Sequence, residues 1–411
     1  MFPMRPALLP ALALLCAMPV VPWVESHAET RAEARADSLR AALDAAWART
    51  AAAQAHEARR GSVAAQARLA DDWLAGPPVL DAELRSDRAT GNHGARELDL
   101  GVELPLWQAG EAEARARLAG HDAERLDAAQ LAQRLTLAGQ VREAAWTLRL
   151  AEAAQRHALR REREAGRLEA DATRRVRAGE LAEAEALAAR DVRLAARLAR
   201  LDADAALAEA RRDWQALTGL DALPRRIDER AAQEPQLHPE RLAALAASRA
   251  AAGRVELAGR SAEERTKLRF GVRGERAARG EDEDYSLAVA VSIPFGGERF
   301  RRAEVESARA ELAEAAAEEA RLADTLPGAL AAARAQLALE RERLAALQTR
   351  QSLARERSRL AGRAHDLGQL DLPALLQARA AAIEVEAEAE LQGLRVARAV
   401  ARLNQTQGVL P

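Results

Sequence analysis

Apolar positions follow two periods along this chain. Over most of its length they recur at helical spacing. Leu187, Leu194 and Leu201 form one heptad series and Leu330, Leu337 and Leu344 another, with alanines and charges between them. That pattern predicts helices packed side by side at close range. One long helix is expected from about Gly110 to Ala178 and a second from about Glu298 to Asp366, each about 100 Å long at the α-helical rise. Rods of that length imply an extended bundle rather than an ordinary globular core. Shorter helices are expected over about Ala36–Trp73, Leu181–Leu217, Pro239–Ala262 and Asp371–Leu403. Stacked end to end, the short helices of each half match the long one in height, although Pro239–Ala262 is shorter than its counterpart.

Four segments switch to a period of two: about 79–85, 97–104, 267–273 and 285–293. In the second, Leu98, Leu100, Val102 and Leu104 share one face and Glu97, Asp99, Gly101 and Glu103 the other. In the third, Leu268, Phe270 and Val272 oppose Lys267, Arg269, Gly271 and Arg273. Apolar-out, polar-in alternation of about this length marks strands of an outer-membrane barrel. It is also compatible with a soluble amphipathic sheet resting on a helix. Polar, glycine-containing linkers, Arg88–Gly94 and Ala277–Asp284, join the strands into two hairpins.

The two halves repeat one another. Leu104-Pro105-Leu106-Trp107 aligns with Ile293-Pro294-Phe295-Gly296, Gly179-Glu180-Leu181 with Gly368-Gln369-Leu370, and Gly219 with Gly408, all at one offset of 189 residues. Gly139 falls opposite Gly328, beside Pro327, so both long helices are expected to carry a breaker at the same depth. The fold class is therefore mainly α with a small β part and an internal duplication. Residues 29–222 form one structural repeat and 223–411 the second, with tip turns near 179 and 368. Pro105 and Pro294 are expected at the strand-to-helix junction, with Trp107 and Phe295, where a missing N–H and a fixed φ suit a helix start. Trp73, Trp107, Phe295 and Phe300 lie near that level, as interfacial aromatics do.

The N-terminus bounds the compartment. A basic start, an apolar run from Ala7 to Val24 and Ser26-His27-Ala28 read as a secretory signal peptide, residues 1–28, cut after Ala28. The other reading is a retained membrane anchor, against which Pro10, Pro19 and Pro22 argue. The only cysteine, Cys16, follows Leu15, where lipidation needs a small residue, so the mature chain offers no thiol. No later stretch is long and apolar enough for a transmembrane helix. An exported Gram-negative chain of this kind is periplasmic or enters the outer membrane through strands. Four strands cannot close a barrel, and an open edge cannot sit in lipid, so several copies are required. Three would give 12 strands, an even number within the known range.

These features together resemble the TolC or outer-membrane efflux protein family. The resemblance covers the whole mature chain. It rests on the two Pro-containing junctions, on Arg177-Ala178-Gly179-Glu180-Leu181, on Leu367-Gly368-Gln369-Leu370 and on Leu217-Thr218-Gly219. No single motif is specific; their order and common spacing are. The resemblance implies a homotrimer, with a 12-stranded barrel in outer-membrane lipid continued by an α-helical hairpin barrel in the periplasm. It implies a passive exit duct of a tripartite efflux or type I secretion system, served by a periplasmic adaptor and an inner-membrane pump. Gly179, Glu180, Leu181, Gly368, Gln369 and Leu370 would be the periplasmic tips that meet the adaptor. Well-studied members carry a ring of aspartates beyond the second tip glycine. Here Leu370-Asp371-Leu372-Pro373-Ala374 offers Asp371 alone.

Composition adds exclusions. A formal net charge of -2, with 30% charged and 3% aromatic residues, suits long helices rather than a compact enzyme or a dedicated nucleic-acid binder. The seven histidines show no i, i+4 pair, and no phosphate loop, nucleophile elbow or dinucleotide fingerprint is present, so no enzyme, cofactor or metal site is expected. The lumen shows no Met or His clusters, and substrate identity, heavy metal or drug, is not legible. The alternative function is a soluble periplasmic coiled-coil or adaptor-like structural protein.

Overall fold

The two long helices dominate the chain. The structure, a computed structural model, describes residues 38–89, 91–232, 237–261 and 264–411. The expected signal peptide lies outside the described residues. In chain order the elements are α1 (Leu39–Ala48), α2 (Ala51–Ala70), β1 (Val79–Ser86), β2 (Arg96–Pro105), α3 (Glu111–Arg177), α4 (Glu183–Thr218), α5 (Pro239–Arg260), β3 (Lys267–Arg276), β4 (Asp284–Ser292), α6 (Glu298–Asp366) and α7 (Leu372–Thr406). Helix, two strands, long helix, short helix occurs twice, which is the duplication in three dimensions.

The segment before β1 is two helices rather than one. Thr50 caps the second, its Oγ1 accepting from Ala53 N at 3.2 Å and donating to Trp47 O at 2.8 Å. A threonine that can satisfy a helix start this way competes with its own place inside a helix. The proline expectation is also corrected. Pro105 is the last residue of β2 and Pro294 lies just beyond β4, several residues before α3 and α6 begin. The Pro105 carbonyl accepts from Ala75 N at 3.0 Å, so this proline closes a strand.

The expected breakers do not break anything. α3 runs unbroken through Gly139, and α6 runs through Pro327 and Gly328. Pro327 removes one hydrogen bond from a helix of 69 residues that other helices flank over its length. Gly139 has a packing reason instead: a methyl there would lie 3.1 Å from the Gln405 side chain.

Helix contacts order the elements as a single row. Near the sheet the row is α2, α3, α5, α6; away from it, α4, α3, α7, α6. One margin of the molecule is therefore α2 and α4, and the other is α6. The main core lies at mid-height, where Trp146 of α3 and Trp214 of α4 are fully buried with Leu43 of α1, Ala401 of α7 and Leu220, Leu223 and Ile227 of the inter-repeat linker. A polar knot ties the linker down. Arg142, 3% exposed, donates to Glu229 at 2.9 Å and to Gln405 at 2.6 Å. Asn404 donates to Glu229 and accepts from Ala232 N, both at 3.1 Å. A guanidinium this deep is tolerable only because every neighbour pairs it.

The heptad expectation divides. Leu337 of α6 is buried against Val400 and Leu403 of α7, with Leu330 packed on the same cluster. Leu187, Leu194 and Leu201 of α4 are exposed. What α4 buries is a different series, Ala189, Ala196 and Ala210 with Leu207 and Trp214. Small residues let α3 and α4 approach closely, so the alanines take the inner seam and the leucines are left on the margin.

Candidate functional site

The four strands form one antiparallel sheet in the order β1-β2-β3-β4. The central pairing of β2 with β3 joins the two repeats, placing Leu104 opposite Leu268, Val102 opposite Phe270 and Leu100 opposite Val272. Neither β1 nor β4 pairs on its outer side with a described strand, so the sheet has two open edges. β1 follows the α2 margin and β4 precedes the α6 margin, so both edges of the molecule run its full height.

The alternation in sequence becomes two chemically distinct faces. One carries Leu80, Leu84, Leu98, Leu100, Val102, Phe270, Val272, Leu287, Val289 and Val291, all exposed in the single chain, Leu287 at 86%. Monomeric soluble proteins rarely leave so large a contiguous apolar patch uncovered. The other face carries an ion-pair lattice. Lys267 lies 3.1 Å from Glu103, Arg273 lies 3.1 Å from Glu97 and 3.2 Å from Asp99, and Arg269 binds both Asp81 and Asp99. Sequence pattern had shown that these groups share a face. Which acid meets which base follows from strand register, and no signal in the sequence sets it.

The two junctions differ. Trp107 is held: its Nε1 donates to Asp72 O at 2.7 Å, and the guanidinium carbons of Arg115 and Arg265 stand 5.4 and 5.3 Å from its ring centre. Between those arginines Glu111 is fully buried and accepts from Arg115 at 3.3 Å. Phe295, which stands where the first repeat has Leu106, is 96% exposed, and Trp73 and Phe300 are also exposed. The structure thus builds Pro105 and Trp107 into a packed corner and leaves Phe295, beyond Pro294, projecting.

The tips are two copies of one motif. At the first, Gly179 has φ 75°, its N–H donates to Val176 O at 3.0 Å, and Glu180 N donates to Arg175 O at 2.9 Å. At the second, Gly368 has φ 73°, its N–H donates to His365 O at 2.9 Å, and Gln369 N donates to Ala364 O at 2.8 Å. Both are Schellman endings, in which glycine takes a left-handed conformation that other residues resist. Gly179, Glu180, Gly368 and Gln369 are exposed, with Leu181 and Leu370 half-buried behind them. His365 Nδ1 lies 2.9 Å from Leu370 O and so donates to it, bracing the second turn. Asp371 accepts from Ala374 N at 3.1 Å and caps α7.

Between tip and core, α3 meets α7 around Glu390. His157 Nε2 lies 3.2 Å from this carboxylate, and Arg156 and Arg160 each lie 3.3 Å from it. Burial pushes His157 below its ordinary range. Burial opposes ionisation of Glu390 as well, but His157, Arg156 and Arg160 outweigh it and hold the carboxyl low.

Among the described residues no group of His, Cys, Asp and Glu side chains is placed to hold a metal ion. No described helix is long and apolar enough to cross a membrane, which says nothing of a β-barrel. No protein-family model matches the chain, and no curated protein matches it. Solved structures do. The VceC outer membrane protein of Vibrio cholerae superposes with a TM-score of 0.70 at 15% identity, over 90% of this chain and 96% of that one. The CmeC outer membrane channel of Campylobacter jejuni gives 0.69 at 14%, over 90% and 85%. CusC, described through its folding and transmembrane channel formation, gives 0.69 at 17%, over 90% and 92%. The fold of this chain is that of the TolC-type outer-membrane channels.

Proposed function

We propose that this chain is one third of an outer-membrane exit duct, a passive channel for compounds delivered by a periplasmic adaptor and an inner-membrane pump. The observation that carries the reading is the sheet. It has an uncovered apolar face, an ion-paired opposite face and two open edges, so it needs lipid on one side and further copies at both ends. Three copies would close a 12-stranded barrel. Of the similar solved structures, CmeC is an outer membrane channel, VceC an outer membrane protein and CusC forms a transmembrane channel, which supports the same role here.

The helical margins support it too. α4 exposes Leu187, Leu194, Leu198 and Leu201 on one margin, and α6 exposes Leu339, Leu353 and Leu360 on the other. In the duct these leucines meet across the seam between neighbouring copies, continuing the pairing of β4 with the next copy's β1. Residues 1–28 are removed on export, and residues 29–222 and 223–411 supply equivalent segments of wall. Trp73, Phe295 and Phe300 lie at the periplasmic boundary between the outer membrane and water, with Pro105, Trp107 and Pro294 at the turn from barrel to tunnel. Gly179, Glu180, Leu181, Gly368, Gln369 and Leu370 form the ends that meet the adaptor. Asp371, the one aspartate just beyond the second tip glycine, is exposed and caps α7 through one carboxylate oxygen.

The test is fractionation followed by molar mass in detergent. An outer-membrane location and a mass of three chains are expected. A water-soluble monomer would overturn the duct and favour a periplasmic structural coiled coil.

A further inference from the structure

We propose that Gly101 and Gly271 form a bare patch on the ion-paired sheet face that holds Arg269 flat, and that this keeps a ring of free guanidinium groups out of the barrel lumen. The inference rests on the duct reading above. Arg269 stands opposite Glu103 in the strand register, yet Glu103 is occupied by Lys267. The Arg269 side chain instead leans along the sheet and over Gly101. It reaches Asp99 on β2 and Asp81 on β1, two strands away, with Nε donating to Asp81 at 3.1 Å. Asp81, Gly101 and Gly271 lie in one cross-strand row, so both residues beneath the guanidinium lack side chains.

The fit is close. A Cβ at position 101 would stand 2.6 Å from Nε, 2.7 Å from Nη2 and 2.8 Å from Cζ of Arg269; one at 271 would stand 3.6 Å from its Nη1. The first three distances are too short to survive. The three atoms that a side chain at 101 would meet first, however, all belong to the mobile end of an arginine. The sheet tolerates the change, and the arginine is the group that moves. Room for it exists along β4, whose residues on this face are Ser286, Ala288, Ala290 and Ser292, with Asp284 at the far end opposite Glu275.

Flat, the guanidinium is shared between two carboxylates, and Asp99 is only 6% exposed on a face that is otherwise open. Lifted, the same group in three copies would stand at one depth around the lumen, each a planar fork suited to phosphate and carboxylate groups. Gly101 is therefore a specificity-setting position. It decides whether the barrel presents paired or free cations to passing anionic cargo.

The experiment uses the full trimer in planar bilayers, with myo-inositol hexakisphosphate added on the side of the β1–β2 loop. Gly101→Val is expected to lower the half-blocking concentration at least tenfold relative to the unaltered channel. Gly101→Val with Arg269→Ala should return it to the unaltered value. Equal block of the Gly101→Val and unaltered channels, or block that persists in the double variant, would overturn the proposal. Should Gly101→Val not assemble, Asp81→Asn with Asp99→Asn releases the same guanidinium and is expected to gain block; no gain overturns it. Absence of current from the unaltered protein overturns the duct itself, and this inference with it.

Discussion

The two long helices, α3 and α6, occupy equivalent places in the repeat and live in different surroundings. α3 is central: it touches α1, α2, α4, α5 and α7 and buries Leu135, Leu137, Val141, Trp146 and Leu148 along with a series of alanines. α6 touches α5 and α7 and buries only Ala308, Leu322, Leu337 and Glu340. Duplication supplied two similar rods, and position in the row gave one of them neighbours on both flanks and the other a free flank. Most helical stability in proteins comes from packing, and α6 has a narrow buried face for a helix of 69 residues. The free flank of α6 is the feature of the helical region on which the proposed assembly of several copies rests.

The sharpest way to break the comparison is to attack each helix where it is supposed to be held. Trp146→Ala in α3 removes a fully buried indole and should cost about 3–5 kcal/mol, read as a lower denaturation midpoint of the purified protein. Leu353→Glu with Leu360→Glu in α6 should leave the circular dichroism of the chain intact and reduce its mass in detergent to that of one copy. An unchanged mass would mean that the leucine flank does not lie at the seam.

A finer probe uses the one position where both helices carry glycine. At Gly328 a new methyl meets open space, so Gly328→Ala should stabilise by about 0.5–1 kcal/mol through helix propensity. At Gly139 the methyl lands 3.1 Å from Gln405, and Gly139→Ala should lose that gain. Equal effects on thermal melting would refute the claim that α3 is closely packed where α6 is free.

The smallest effect is electrostatic. Burial holds His157 of α3 below its ordinary range, so the unfolded chain takes up protons that the folded one resists as pH falls through about 6.5. Stability should therefore decline on acidification below that value. The groups facing His157 are Glu390 and Glu386, which oppose the shift, and Arg156 and Arg160, which reinforce it. His157→Gln should flatten the decline, measured as melting temperature against pH.

Some errors of sequence reading have a common cause. Gly139 and Pro327 look like breakers because each weakens a helix locally, yet neighbours in space override a local penalty of this size. The leucine heptad of α4 reads as an inner seam because leucine is the larger apolar residue. The alanine series one face away takes that place, together with Leu207 and Trp214. The Arg269 bridge was invisible because its members come from three strands.

By itself the sequence determined the elements, their duplication and the glycine turns. These depend on periodicity and on φ preferences that act over a few residues, as the αL glycines Gly179 and Gly368 illustrate. It also determined that one sheet face would be apolar, because alternation is local. Tertiary structure alone decided which margin of the row each helix occupies, which acid each arginine meets and which heptad faces outward. Those outcomes turn on distances between segments far apart in the chain, and no local preference encodes them.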